Sequence, residues 1–163
     1  MNINTIDQDI EKIKEYSPEL FNEIIHLTVP FYMFHQKMTT AIERMLEEKH
    51  QISNSELDVM SCLKMTKGRD YTLSPTKIYE RLFFTTGGIT KVLKKLEEKK
   101  FIIRMDNQYD KRSKLVQLTP LGIDKFSKAL TDVLAYEEKC FSSLSQDEKT
   151  SFKNHFRKML KDF

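Results

Sequence analysis

Cysteine, glycine and proline are all scarce in this chain, and each scarcity excludes something. Its 163 residues hold 2 Cys, 4 Gly and 4 Pro. Cys62 and Cys140 stand far apart and encode no disulfide framework; both read as buried, inert thiols. With so few helix breakers, long uninterrupted helices are expected. No run approaches the roughly 18 apolar residues that a membrane span needs. Residues 1–15 alternate acids with Ile and Lys instead of carrying a signal peptide's apolar block, so the expected compartment is the cytoplasm. His26, His35, His50 and His155 share no metal-ligand spacing with the cysteines, so no metal is expected. The phosphate-binding glycine loop, the nucleophile elbow, the zinc-protease helix and the dinucleotide turn are all missing, which argues against an enzyme or a bound cofactor.

What is present is amphipathic and unevenly charged. Hydrophobic residues make up 39% and charged residues 31%, a balance suited to amphipathic helices. The 8 Met and 11 Phe read mainly as core. The net charge of +3 says little, but its distribution says more. Residues 74–114 hold 11 Lys and Arg against 5 acids, whereas the rest of the chain holds 16 against 19. A basic middle between acidic flanks is the electrostatic footprint of a DNA reader.

The pattern along the chain predicts mainly α structure with a small β-wing. Ser17-Pro18 is expected to open a helix over 19–48, kinked at Pro30 with Thr28 as a fresh cap. Ser53-Asn54-Ser55-Glu56 is a capping box for a helix reaching Lys64. Lys67-Gly68-Arg69-Asp70 ends it, and Tyr71-Thr72-Leu73 forms a short strand. Ser74-Pro75 starts a short helix ending near Leu82. Phe83 and Phe84 make the turn into a helix over 85–99. Two strands, 102–105 and 115–118, flank a polar loop. Thr119-Pro120 starts another helix, and Ser145-Gln146-Asp147-Glu148 is a second capping box before a terminal amphipathic one.

The helix over 85–99 and the loop after it carry the functional signal. Ile89, Val92, Leu93 and Leu96 form one buried stripe. The opposite face presents Gly87, Thr90, Lys91, Lys94 and Glu98 on a rod of roughly 22 Å, which fits along a major groove. Gly87 and Gly88 each cost roughly 1 kcal/mol of helix propensity relative to Ala. They are explained if the helix N-terminus must press against a phosphate or base edges. Thr85 and Thr86 can cap the helix and reach phosphates, while Ser74 and Thr76 belong to the preceding helix start. Lys91, Lys94 and Lys95 are placed to meet the groove. Lys111, Arg112 and Ser113 form a charged tip, with Arg112 suited to a narrow minor groove and Asp110 placed to orient it. A recognition helix followed by a basic wing makes a winged helix-turn-helix.

On these residues the chain resembles the MarR family of bacterial transcription regulators. The resemblance is carried by residues 82–102, by the wing Asp110-Lys111-Arg112-Ser113, and by the junction Leu118-Thr119-Pro120-Leu121-Gly122. Residues 57–60, 73–79 and 85–90 look most like the branch of PecS-type and urate-responsive regulators. The resemblance implies helical dimerisation arms in residues 1–50 and 120–163 around a DNA-binding domain of 51–119. It further implies a homodimer on a palindromic operator, and repression relieved by a small anionic, often aromatic, ligand. It assigns Asp58 and Lys91 to the ligand pocket. Three departures stand out: Lys100 sits where the family commonly has Gly, the chain has no Trp, and Lys91 stands where an Arg is expected. The last two argue against urate. The competing reading is a helical protein–protein adaptor whose winged helix does not bind DNA.

Overall fold

The computed structural model describes residues 3–66, 70–82, 86–107 and 114–161. They fall into two units, Met1–Ala41 and Ile42–Phe163. In the first unit, α1 (Ile3–Tyr16) precedes a single 3-10 turn (Pro18–Leu20) and most of α2 (Ile25–Met45). Two expectations are corrected here. Pro18 opens only the three-residue turn, and the Ser17 side chain makes no capping bond. Asn22 instead accepts the Ile24 N–H at 3.0 Å just before α2 begins. Thr28 lies inside α2, as does Pro30, its sixth residue, so the helix continues through the proline instead of breaking there. Helix α1 falls within the stretch of residues 1–50 expected to be helical, as a separate helix whose bounds the pattern leaves open, with Ile3, Ile6, Ile10 and Ile13 at helical spacing.

In the second unit the chain leaves α2 through one π-helical turn (Leu46–His50) and enters α3 (Asn54–Lys64). Then follow β1 (Thr72–Leu73), α4 (Pro75–Leu82), α5 (Thr86–Glu98), β2 (Ile102–Asp106), β3 (Lys114–Leu118), α6 (Pro120–Cys140) and α7 (Gln146–Met159). The strands form an antiparallel sheet of order β1-β3-β2. Its register runs from Ile102 opposite Leu118 to Asp106 opposite Lys114, with Thr72 opposite Gln117. This is the mainly helical fold with a small β element expected from the pattern. Met60, Leu63, Ile78, Leu93, Leu96, Ile102 and Val116 are fully buried, so one core joins α3, α4, α5 and the sheet.

Local chemistry fixes the helix starts. Both capping boxes close, at Ser53–Glu56 and at Ser145–Glu148. Thr119 caps α6 by accepting the Gly122 N–H at 3.0 Å, and its hydroxyl donates to the Lys100 carbonyl at 2.8 Å. Its own N–H reaches the Phe101 carbonyl at 3.0 Å. The junction is so close that a Cβ on Gly122 would stand 2.1 Å from the Phe101 carbonyl oxygen. A glycine is therefore required for steric reasons. Near the start of α3, Lys49 and the buried His50 both meet Asp132 of α6 at 2.7 Å. Those contacts, that of Lys49 foremost, hold the Asp132 carboxyl below the ordinary carboxylate range. The apolar residues of α7 are less covered: Phe152, Met159 and Leu160 are exposed, as are Leu121 and Leu134 on α6.

Candidate nucleic-acid interface

Helix α5 is positioned by one face and presented by the other. Ile89, Leu93 and Leu96 are buried, with Val92 half-buried beside them. Thr90, Lys91, Lys94 and Lys95 are exposed, as the helical spacing requires. Lys94 lies only 3.9 Å from Glu98, an exposed pair of small energetic weight. Gly88 sits half-buried in the first turn. Thr86 and Gly87 belong to the helical backbone of α5, but their side-chain environments lie outside the described residues. Thr85, Asp110, Lys111, Arg112 and Ser113 also lie outside them.

The other end of α5 is locked. The Phe101 N–H bonds the Leu96 carbonyl and the Lys100 N–H bonds the Glu97 carbonyl, each at 2.9 Å. Lys100 adopts φ 61, the left-handed conformation that such a helix stop needs. A lysine thus takes the position at which a glycine would be unstrained. Just before that stop, Lys99 Nζ donates to Glu56 Oε1 at 2.6 Å and to the Gln51 carbonyl at 2.8 Å. Glu56 is 2% exposed, and its other oxygen accepts the Ser53 N–H at 2.8 Å. The basic count over 74–114 therefore overstates what faces a partner. Lys99 is engaged by Glu56, Arg104 by Glu97 at 3.0 Å, and Lys114 by Asp106.

Beside the exposed face of α5 lies a cleft of about 350 Å³. Pro75, Thr76 and Tyr79 of α4 line it, with Ile89, Thr90 and Leu93 of α5 and Arg104 of β2. It is a largely apolar slot whose lining includes two threonines and Arg104. Two residues expected to meet DNA, Thr76 and Thr90, are thereby brought together. Ser74 caps α4 as expected, its hydroxyl accepting the Lys77 N–H at 3.3 Å. Asp58 is exposed on α3, its carboxyl pushed up by partial burial. Lys91, the other residue assigned to the ligand pocket, is exposed on α5. Sequence reasoning missed Tyr79 and Arg104 as cleft residues, because each is one of many similar side chains until the sheet and α4 are docked.

Cys62 is buried on α3, where burial pushes its thiol up despite an opposing hydrogen bond from Arg81. Among the described residues no group of three His, Cys, Asp or Glu could hold a metal ion, and no helix is long and apolar enough to cross a membrane.

Known proteins share this arrangement. The model of the MarR family matches residues 52–114. The HTH-type transcriptional regulator PecS of Dickeya dadantii is 28% identical over 127 residues, 76% of this chain and 74% of that protein. The multiple antibiotic resistance protein MarR of Salmonella typhimurium is 32% identical over 104 residues, 64% of this chain and 69% of that protein. Among solved structures, a mutant of MarR from E. coli complexed with operator DNA superimposes with a TM-score of 0.71 at 25% identity. The alignment covers 86% of this chain and 98% of that one.

Proposed function

The chain belongs to the MarR family of transcriptional regulators, and from that premise we propose that it reads double-stranded DNA through the exposed face of α5. The observation that carries the reading is the ridge of Thr90, Lys91, Lys94 and Lys95 held outward above the buried Ile89, Leu93 and Leu96. Lysines at this spacing meet phosphates and supply affinity, while Thr90 and the first turn of α5 face base edges. Thr76, Thr85, Thr86, Gly87 and Gly88 complete the approach to the major groove. Arg112, oriented by Asp110 and flanked by Lys111 and Ser113, enters the adjacent minor groove.

The protein works as a homodimer on a palindromic operator, in which residues 1–50 and 120–163 dimerise and 51–119 bind DNA. The exposed apolar side chains of α6 and α7 support this arrangement. It acts in the cytoplasm as a repressor, without catalysis. A small anionic aromatic ligand releases it. The cleft beside α5 suits the ring of such a ligand, because its walls are largely apolar; its anionic group would have to compete with Glu97 for Arg104. Asp58 and Lys91, which do not line this cleft, are the alternative ligand contacts that the family resemblance suggests.

A gel shift tests the reading, using the DNA upstream of the chain's own gene with and without phenolic ligands. Specific retardation that weakens steeply with salt is expected. Lys91→Ala with Lys94→Ala should flatten the salt slope, and Arg112→Ala should weaken binding in a dimer that remains folded. Salt-independent or absent binding would instead favour a protein–protein adaptor.

A further inference from the structure

Lys99 stands in the basic segment of the chain yet has no part in the ridge on α5. Its ammonium joins three segments. It leaves the end of α5, donates to the Gln51 carbonyl at 2.8 Å, and meets Glu56 Oε1 at 2.6 Å. Gln51 is itself held in the left-handed conformation, φ 56, where the chain turns from α2 toward α3. Glu56 is 2% exposed, and its second oxygen is committed to the Ser53 N–H. A buried carboxylate with both oxygens occupied has one tolerable position, so the atom it holds is also fixed.

We propose that Glu56 and Lys99 are positioning residues for DNA recognition, setting the tilt of α5 from the end remote from its first turn. The inference rests on the reading of α5 as the recognition helix. The 13 residues of α5 span about 20 Å. A tilt of roughly ten degrees at the anchored end then displaces the first turn by about 3 Å, by the same helix geometry. Hydrogen bonds to base edges tolerate only about 0.5 Å of misplacement. Attraction between lysines and phosphates acts over a Debye length of roughly 10 Å and barely registers such a movement. Loosening the clamp therefore removes sequence discrimination while leaving non-specific affinity in place.

Glu56→Gln tests this, because the amide oxygen can still accept from Ser53 while the charge that fixes Lys99 is gone. Lys99→Arg keeps the pair, and the double variant Glu56→Gln/Lys99→Met removes both charges without stranding either. Fluorescence anisotropy of the full dimer is measured against a duplex from upstream of the chain's own gene and against a random-sequence duplex. Glu56→Gln and the double variant should lose at least ten-fold in affinity for the first duplex. Both should stay within about two-fold on the second, with an unchanged salt slope. Lys99→Arg should keep near wild-type discrimination. An unchanged ratio between the two duplexes in Glu56→Gln would overturn the proposal, as would affinities that fall in parallel with the folded fraction. A wild-type chain that bound neither duplex would overturn the DNA reading itself, and the clamp's role with it.

Discussion

The starts of α3 and α7 carry the same four-residue signature and close the same reciprocal pair of bonds, with a further one from the Ser145 hydroxyl to Glu148 at α7, yet their wider roles differ. At α3, Ser53 N donates to Glu56 at 2.8 Å and Glu56 N donates back to Ser53 Oγ at 3.3 Å. At α7 the corresponding bonds are 2.7 and 3.3 Å, between Ser145 and Glu148. Glu148, however, is exposed, whereas Glu56 is sealed in the core with a lysine from the end of α5 upon it. One box only begins a helix. The other begins a helix and also anchors the element that faces DNA. A capping motif states where a helix starts, but what else it does depends on which neighbour supplies the third bond.

The sharpest way to break this comparison is to delete both glutamates separately. Glu56→Ala should lower stability by about 2 to 3 kcal/mol, because it removes the two charge-assisted hydrogen bonds of a buried carboxylate, to the Ser53 N–H and to Lys99, and leaves a gap in its place. Glu148→Ala should lower the thermal midpoint far less. Equal losses in thermal unfolding would mean that burial adds nothing to the motif.

Gly122→Ala should come next. Its Cβ would meet the Phe101 carbonyl at 2.1 Å, so the start of α6 must move away from the end of α5. An overpacked contact of this kind costs about 2 kcal/mol, and backbone on both sides leaves little room for relief. A thermal midpoint equal to the wild type would show that this junction is not rigid.

The smallest effect concerns pH. Hydrogen bonds from the Ser145 backbone and side chain hold the Glu148 carboxyl below its ordinary value. Its contribution is thus present above the ordinary glutamate range and lost as pH falls through the depressed value. Glu148→Gln should therefore differ slightly from the wild type near neutral pH and match it in strong acid, as followed by circular dichroism. A gap that widens in acid would contradict the assignment.

Particular residues explain why some of this is legible in the sequence and some is not. The stripe of Ile89, Leu93 and Leu96, the two capping boxes and the Thr119 cap are local patterns, and local patterns survive folding. The helix stop at Lys100 is obscure because the left-handed position is taken by a lysine. The two bonds that enforce the stop become visible only with Phe101 in place. In the sequence Lys99 is one more member of a basic patch, since nothing there places it beside a carboxylate 43 residues away. Ser17-Pro18 misleads for the opposite reason, as a good start signal whose Ser17 side chain makes no capping bond and whose turn ends at Leu20. Arg104 and Tyr79 enter the cleft only through the docking of β2 and α4.

The central claim is that the locked rod of α5 delivers its basic face to a duplex. A crystal structure of the dimer bound to the DNA upstream of its own gene tests it most directly. The account predicts α5 in the major groove, Thr90, Lys91 and Lys94 against the DNA, and Lys99 still on Glu56. Finding α5 turned away from the duplex, or covered by a subunit contact in the bound state, would contradict it.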